Sequence, residues 1–147
     1  MTESARQAAA RVTAATLTLL AREMEGLPPP YRLWSEPLRA DEIREVALEV
    51  AAGKAAGIWV EEHHPARGLA IVRPMALESA LLGMGSLRLT GPWMVEYDPL
   101  ERRLAAKIIA AKTKSLPAAG AKKFLSVKTW EDSAVIRGFV DEGFQVA

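Results

Sequence analysis

The stretch KKFLSVKTWEDSAVIRGFVDEGFQVA, residues Lys122–Ala147, is the most informative part of the sequence for the fold. It predicts a strand, a capped helix and the start of a new strand, and the earlier elements must be arranged around this unit. Phe124 to Lys128 is a short apolar run with Val and Ser, which predicts a buried strand. Thr129 precedes Asp132 by three residues, and this spacing is typical of a helix start, where a hydroxyl accepts a hydrogen bond from a first-turn amide. The carboxylate would meet the positive end of the helix.

The helix predicted after Asp132 has apolar residues at helical spacing, namely Val135, Ile136, Phe139 and Val140. Gly143 is placed to end it in a left-handed conformation. We expect Phe144 to pack back onto the last turn.

The amino-acid composition excludes several classes of protein and of functional site. The 147 residues are half hydrophobic, which predicts one domain with a substantial core. Cysteine is absent, which excludes disulfides, thiolate nucleophiles and cysteine-based metal sites. No apolar run is long enough to span a bilayer, and the N-terminus lacks the apolar centre of a signal peptide. We therefore expect a cytoplasmic protein that does not bind membranes.

Residues 1–30 are predicted to form an N-terminal amphipathic helix, Ser4 to Met24, and a stiff spacer, Leu27 to Pro30. Three interpretations of the helix are open: it packs on the domain, it forms a dimer arm, or it lies on a membrane surface. Its apolar stripe is mostly alanine, which would bury little area in lipid and so disfavours the third.

The middle of the chain alternates extended and helical patterns. Tyr31 to Leu38 is predicted as an edge strand, since Pro37 interrupts it. A helix from about Asp41 to Ala56 should follow, with Ile43, Val46, Ala47 and Val50 on its inner side. Gly57–Glu62 and Gly68–Arg73 then predict an antiparallel hairpin.

Three further elements complete the pattern. Met75 to Leu82 predicts a short helix or turn. Gly85–Thr90 and Trp93–Tyr97 are either one long strand bent at Gly91-Pro92 or two short strands. A helix is predicted from Pro99 to about Ser115, with Asp98 as its N-cap. The order predicts an α/β (α+β) fold, a mixed central sheet flanked by helices with an extra N-terminal helix.

The Pro99 helix has an apolar face and a basic stripe. Leu100, Leu104, Ile108 and Ala111 form the face. Between Glu101 and Lys128 there are eight Lys or Arg and a single acid. This charge indicates a solvated helix face, a site for the phosphates of CoA or a nucleotide-sugar, or a nucleic-acid surface. We expect no nucleic acid, because no aromatic residues interleave with the lysines to stack bases.

Residues 31–147 resemble the GNAT N-acetyltransferase superfamily in their hairpin, central strand, Pro-started helix, strand and last helix ending in Gly-Phe. In that family a Pro-x-x-Arg loop and glycines hold the acetyl-CoA pyrophosphate at a helix start. The resemblance implies acetyl-CoA as cofactor. It assigns the cofactor contacts to one loop and the helix after it: Val95, Pro99, Arg102, Arg103, Ala105 and Lys107. Pro99 and Arg102 match, whereas Ala105 and Lys107 fill glycine positions and Arg103 stands where another glycine is frequent.

The resemblance also implies acyl transfer from CoA to an amine. Glu96 would deprotonate the amine and Tyr97, at an unmatched position, would act as the acid. Family members often have a Tyr where this chain has Phe139, which has no proton to give. The loop lacks the glycines of the family pattern, and Phe139 replaces its Tyr. Both differences leave open a second hypothesis, a non-catalytic interaction or dimerisation domain.

A second resemblance, to the N-terminal region of dideoxysugar (dTDP-fucosamine) N-acetyltransferases, lies in Met75–Gly83 followed by Leu87-Arg88-Leu89. Leu77 replaces a Trp of that pattern, and Leu81-Leu82 replaces a Phe pair. This resemblance implies a small-molecule amine or a nucleotide-sugar as acceptor.

The family would supply two more strands beside Phe124–Lys128, which this sequence lacks. An open apolar edge is usually covered in natural proteins. We therefore expect that a second subunit, in a homo-oligomer, or the N-terminal helix covers it.

The remaining candidate residues are two histidines at the hairpin tip and four tryptophans. His63-His64 beside Glu61-Glu62 suggests either a metal site or a polar hairpin tip. Neighbouring residues on a strand point to opposite faces, so at most one of the histidines and one of the glutamates could lie on the same face. We therefore expect no metal site. Four tryptophans are expected in the core or as ligand walls: Trp34, Trp59, Trp93 and Trp130.

Overall fold

The computed structural model describes residues 3–27, 37–75, 81, 85–116, 123–128 and 133–144. Within these ranges the helices and strands follow in the order α1 (Glu3–Glu25), α2 (Ala40–Ala51), β1 (Ala56–Trp59), β2 (Leu69–Pro74), β3 (Gly85–Trp93), α3 (Pro99–Lys114), β4 (Lys123–Lys128) and α4 (Ser133–Asp141). A 3₁₀ turn, Pro65–Arg67, joins β1 to β2. The mixed α/β class is therefore confirmed.

The four strands form one mixed sheet in the order β1-β2-β3-β4. β2 pairs antiparallel with β1 and with β3, which confirms the hairpin. β4 runs parallel to β3, from the pair Gly85 and Lys123 to the pair Thr90 and Lys128. Such a parallel pair needs a crossover connection, and α3 lies in it.

The segment from Gly85 to Trp93 is one strand that continues through a cis Gly91-Pro92 bond. The bent-strand alternative is therefore the one found. Residues 94–98 have no strand pairing assigned, so the predicted extension of the strand to Tyr97 is wrong. The register between β2 and β3 shifts between Leu69 and Ile71, one pair before the end of the ladder, where Leu69 pairs with Trp93.

Helices cover both faces of the sheet. α1 and α2 pack on one face over Leu69, Ile71 and Trp93. α3 and α4 pack on the other face over Ala70, Val72, Leu87 and Leu89. The alternation of buried residues along β2 places successive side chains in the two cores, as expected of a strand covered on both sides.

α2 is shorter than predicted, because it ends at Ala51 and Ala56 already belongs to β1. Gly53 follows the helix with a φ of 76°, a left-handed conformation that glycine adopts at low cost. The inner stripe is confirmed, since Ile43, Val46 and Val50 are buried.

In α1 the buried residues are Ala10, Thr13, Thr16, Leu17, Leu20 and Met24. The predicted helix is confirmed, and it packs on α2 and on the 65–67 turn, as the first interpretation proposed. Among the described residues, no helix combines the length and the apolar character needed to cross a bilayer.

The apolar face of α3 does not face the core. Leu100, Leu104 and Ile108 are exposed, and the opposite face is buried. The buried face consists mostly of small side chains: Arg102, Ala105, Ala106, Ile109, Ala110 and Thr113.

Several predictions fall on residues that the structure does not describe. These are most of the edge strand Tyr31–Leu38, most of Met75–Leu82, the cap at Thr129 and Asp132, and two of the tryptophans, Trp34 and Trp130. Pro37 and Leu38, which are described, have no regular secondary structure.

Candidate functional site

The candidate site is the loop of residues 94–98 and the first turns of α3. Asp98 is the N-cap of the helix, and its Oδ1 accepts a hydrogen bond from the Leu100 amide at 2.9 Å. Pro99 occupies the first helical position and has no amide hydrogen. Two backbone positions at the helix start therefore offer no free amide to a ligand. Pro99 has no amide hydrogen, and the Leu100 amide already donates to the Asp98 carboxylate.

Arg102 holds the loop onto the helix. Its side chain is buried, and its Nη1 donates a hydrogen bond to the Glu96 carbonyl at 2.5 Å. Its amide donates to the Asp98 carbonyl at 2.9 Å, the first hydrogen bond of the helix. Arg102 thus fastens the loop of residues 94–98 to α3.

The residues of the loop have different surroundings. The Val95 amide donates to the Ala66 carbonyl at 3.3 Å, and the Val95 side chain packs at the edge of the α1–α2 core. Glu96 is half-buried and Tyr97 is exposed. The predicted base and acid are therefore neighbours on a loop rather than on a strand.

The remaining predicted cofactor residues lie along α3 and point in different directions. Ala105 is fully buried. Arg103 forms a two-pronged ion pair with Asp141 of α4, with Nε–Oδ2 and Nη2–Oδ1 distances of 2.7 and 2.8 Å. These hydrogen bonds lower the pKa of Asp141 and raise that of Arg103. Lys107 is exposed one turn further along.

The hairpin tip is tied to the start of α3. Arg67 contacts Glu101 at 3.4 Å and Glu61 at 3.7 Å, and the His64 ring lies 4.0 Å from Glu61. Within the described part of the chain no group of three or more His, Asp or Glu side chains could hold a metal ion. Arg67 thus lies between a carboxylate of the hairpin tip and a carboxylate of the first turn of α3.

α4 packs closely on α3 and ends as its sequence predicts. Gly143 has a φ of 93°, and the Phe144 amide donates to the Phe139 carbonyl at 3.2 Å. The rings of Phe139 and Phe144 meet edge to face with centroids 5.3 Å apart. The Gly-Phe ending is therefore confirmed as a helix stop. Lys114 of α3 also donates to the Glu142 carbonyl at 2.7 Å.

The two described tryptophans are core residues. Trp93 is buried in the α1–α2 core, and Trp59 packs at its edge with its indole nitrogen 3.4 Å from the Thr16 hydroxyl. The interpretation as core packing is confirmed for both.

The geometry fits a pyrophosphate poorly. A diphosphate at the start of α3 would meet the Asp98 carboxylate, and like charges repel. The Leu100 amide is already occupied, and the buried Arg102 guanidinium is already used on the Glu96 carbonyl. The residues present therefore do not match what acetyl-CoA requires at this helix start.

No protein-family model, no curated protein and no solved structure matches this chain.

Two residues of the site were not predicted from the sequence. The contact between Arg67, in the turn that joins β1 to β2, and Glu101 of α3 is not predictable from local sequence, because 34 residues separate the two. Gly138 lies inside α4, and a glycine inside a helical pattern is a sequence signal of close packing. Its backbone lies against α3, where an added Cβ would stand 2.6 Å from the Arg103 carbonyl oxygen.

Proposed function

We propose that this chain is a GNAT-related interaction domain that self-associates through its sheet edge and transfers no acyl group itself. The observation that carries the proposal is the start of α3, where Asp98 occupies the Leu100 amide. A carboxylate at this position supplies the negative charge that a bound phosphate would otherwise supply.

The sheet edge supports self-association. Among the described strands, β4 pairs with β3 alone and ends the sheet. An unpaired edge presents amide and carbonyl groups that another strand can bind. Because α1 packs on α2 and the 65–67 turn, a second copy of this chain is the cover that we propose.

Amide hydrogen exchange across Lys123–Lys128, measured from low to high micromolar protein, tests this proposal. In a free edge strand, alternate amides exchange rapidly, whereas pairing protects them. We expect a dimer by light scattering, and protection of the alternate amides that rises with protein concentration. A monomer at all concentrations with rapid exchange would refute self-association through β4.

A second candidate function, N-acyl transfer to a small amine or a nucleotide-sugar, is favoured by one observation. Glu96 and Tyr97 lie on the loop between the end of β3 and Pro99, the first residue of α3, and this proximity to the helix start is what favours the candidate. An assay of acetyl-CoA thiol release with a panel of amines and amino sugars tests it. Turnover that Glu96→Gln abolishes would establish this candidate and reject the first. A cytoplasmic location stays a prediction under both.

A further inference from the structure

Exposed apolar side chains concentrate on one side of α3. Leu100, Leu104 and Ile108 are 63%, 43% and 37% exposed, and Tyr97 precedes them at 54%. Because they recur every four residues, the three helical side chains form one ridge, about 12 Å long at 1.5 Å per residue. We call these three residues the docking stripe.

The docking stripe is not required for the packing of α3 on the domain. The opposite side of the helix supplies Ala105, Ala106, Ile109 and Ala110 to the core. A surface helix normally carries polar residues opposite its buried side, and clustered apolar residues at that position indicate an interaction site. The other exposed large apolar residues of the described chain are scattered over separate elements: Val12, Leu48, Leu81 and Val140.

The rim of the docking stripe is positively charged beside Leu104 and Ile108, whereas at the Leu100 end the Asp98 carboxylate already accepts the Leu100 amide hydrogen bond. At 100° per residue, Lys107 and Lys112 lie on opposite sides of the stripe. Lys112 donates to the Trp59 carbonyl, which carries no net charge and leaves the ammonium charge in place. The one acidic residue of α3, Glu101, is already paired with Arg67.

We propose that the docking stripe binds an acidic amphipathic helix of a partner protein, a function separate from self-association through β4. Apolar residues every three or four positions on the partner would pack against the ridge. Asp or Glu on both sides of them would face Lys107 and Lys112. A second copy of this chain would instead place the lysine rims against each other, which electrostatics disfavours. A membrane would gain little from three side chains over so short a length.

Binding of a designed peptide tests the proposal. The probe is a labelled helical peptide of about 18 residues with a leucine stripe flanked by glutamates, long enough to populate a helix. The reference peptide has lysine at every glutamate position. By fluorescence anisotropy we expect the acidic peptide to bind, and the basic peptide to bind at least about tenfold more weakly.

Two variants locate the binding surface. Leu104→Ser removes the centre of the docking stripe and should weaken acidic-peptide binding about tenfold or more. Val140→Ser is the matched control, since Val140 is 46% exposed on α4, and it should change affinity less than about twofold. Melting curves of both variants check that each is folded.

Three results would overturn the proposal. The first is absent binding, or equal binding of both peptides. The second is unchanged peptide affinity in folded Leu104→Ser. The third is evidence that something else occupies the docking stripe. If Leu104→Ser abolishes binding to anionic phosphatidylglycerol vesicles but leaves peptide binding unchanged, the docking stripe binds a membrane. If Leu104→Ser dissociates a dimer, the docking stripe binds a second copy of the chain.

Discussion

Gly138 of α4 and Ala106 of α3 are in such close contact that a Cβ added to Gly138 would stand 2.6 Å from the Ala106 Cβ. The same added atom would be 2.6 Å from the Arg103 carbonyl oxygen, which belongs to the helix backbone and cannot turn away. The separation of α3 and α4 is therefore set by the absence of a side chain at residue 138.

Gly138→Ala should destabilise the domain by roughly 1–3 kcal/mol, the usual cost of overpacking, despite the higher helix propensity of alanine. Urea denaturation measures this change. Gly26→Ala is the matched control, because its added Cβ would stand 3.4 Å from the Glu23 carbonyl oxygen and Gly26 has no positive φ. Its effect should stay within about 0.5 kcal/mol. Equal effects of the two substitutions would contradict the close contact.

The Arg103–Asp141 ion pair should make stability depend on pH in the acid range. Hydrogen bonds from Arg103 lower the pKa of Asp141 in the folded protein. The pair therefore stabilises the domain fully above the unfolded aspartate pKa, about 3.9, and this contribution disappears as pH falls through the lower folded pKa.

Urea midpoints at pH 7 and pH 3 for the wild type and Asp141→Asn measure this contribution. The wild type should lose more stability between these pH values than the variant, because the variant has no carboxylate to protonate at this position. Identical losses would show that the ion pair contributes nothing in solution.

Asp98 should stabilise the start of α3 through its Oδ1 acceptor. Asp98→Ala should cost about 1 kcal/mol, the usual value for a lost N-cap. Asp98→Asn keeps an acceptor and should cost less, since only the attraction between the carboxylate and the helix dipole is lost. Thermal denaturation of the two variants compares them, and a greater loss for Asn than for Ala would argue against the cap.

Arg102 should be needed to hold the loop of residues 94–98. Arg102→Leu removes the 2.5 Å hydrogen bond from Arg102 to the Glu96 carbonyl, and a hydrogen bond made by a charged group contributes roughly 1.5–3 kcal/mol. Chemical denaturation gives the change in free energy, and hydrogen exchange of the Val95 amide reports on the loop. Arg44→Leu, on the exposed side of α2, is the control and should have little effect. Slow exchange at Val95 in Arg102→Leu would contradict this role.

Much of the fold could be predicted because the relevant signals are local. Pro99 after Asp98 starts α3, Gly143 ends α4, and the apolar runs on either side of residues 63–67 pair as a hairpin. Such signals depend on backbone conformations that only a few residue types favour.

The orientation of α3 could not be predicted from periodicity, because both of its faces are apolar. Leucines on one side and alanines on the other give two candidate core faces. The alanine face is buried, since small residues allow α4 to approach at Gly138. This choice depends on a contact between helices that are distant in sequence.

The geometry of the candidate site could not be predicted from the sequence. That Ala105 and Lys107 are not glycines is visible in the sequence. The direction of the Arg102 side chain, which donates to the Glu96 carbonyl, follows only from the folded loop. A charged residue in a motif can face a ligand or the protein interior, and its type does not distinguish the two.

A calorimetric titration of the purified chain with acetyl-CoA measures whether the start of α3 is closed to phosphates. We predict no binding heat up to high micromolar ligand and no ligand-dependent rise in melting temperature, because a ligand that does not bind the native state cannot stabilise it. Saturable binding that is lost on addition of inorganic pyrophosphate would contradict the claim.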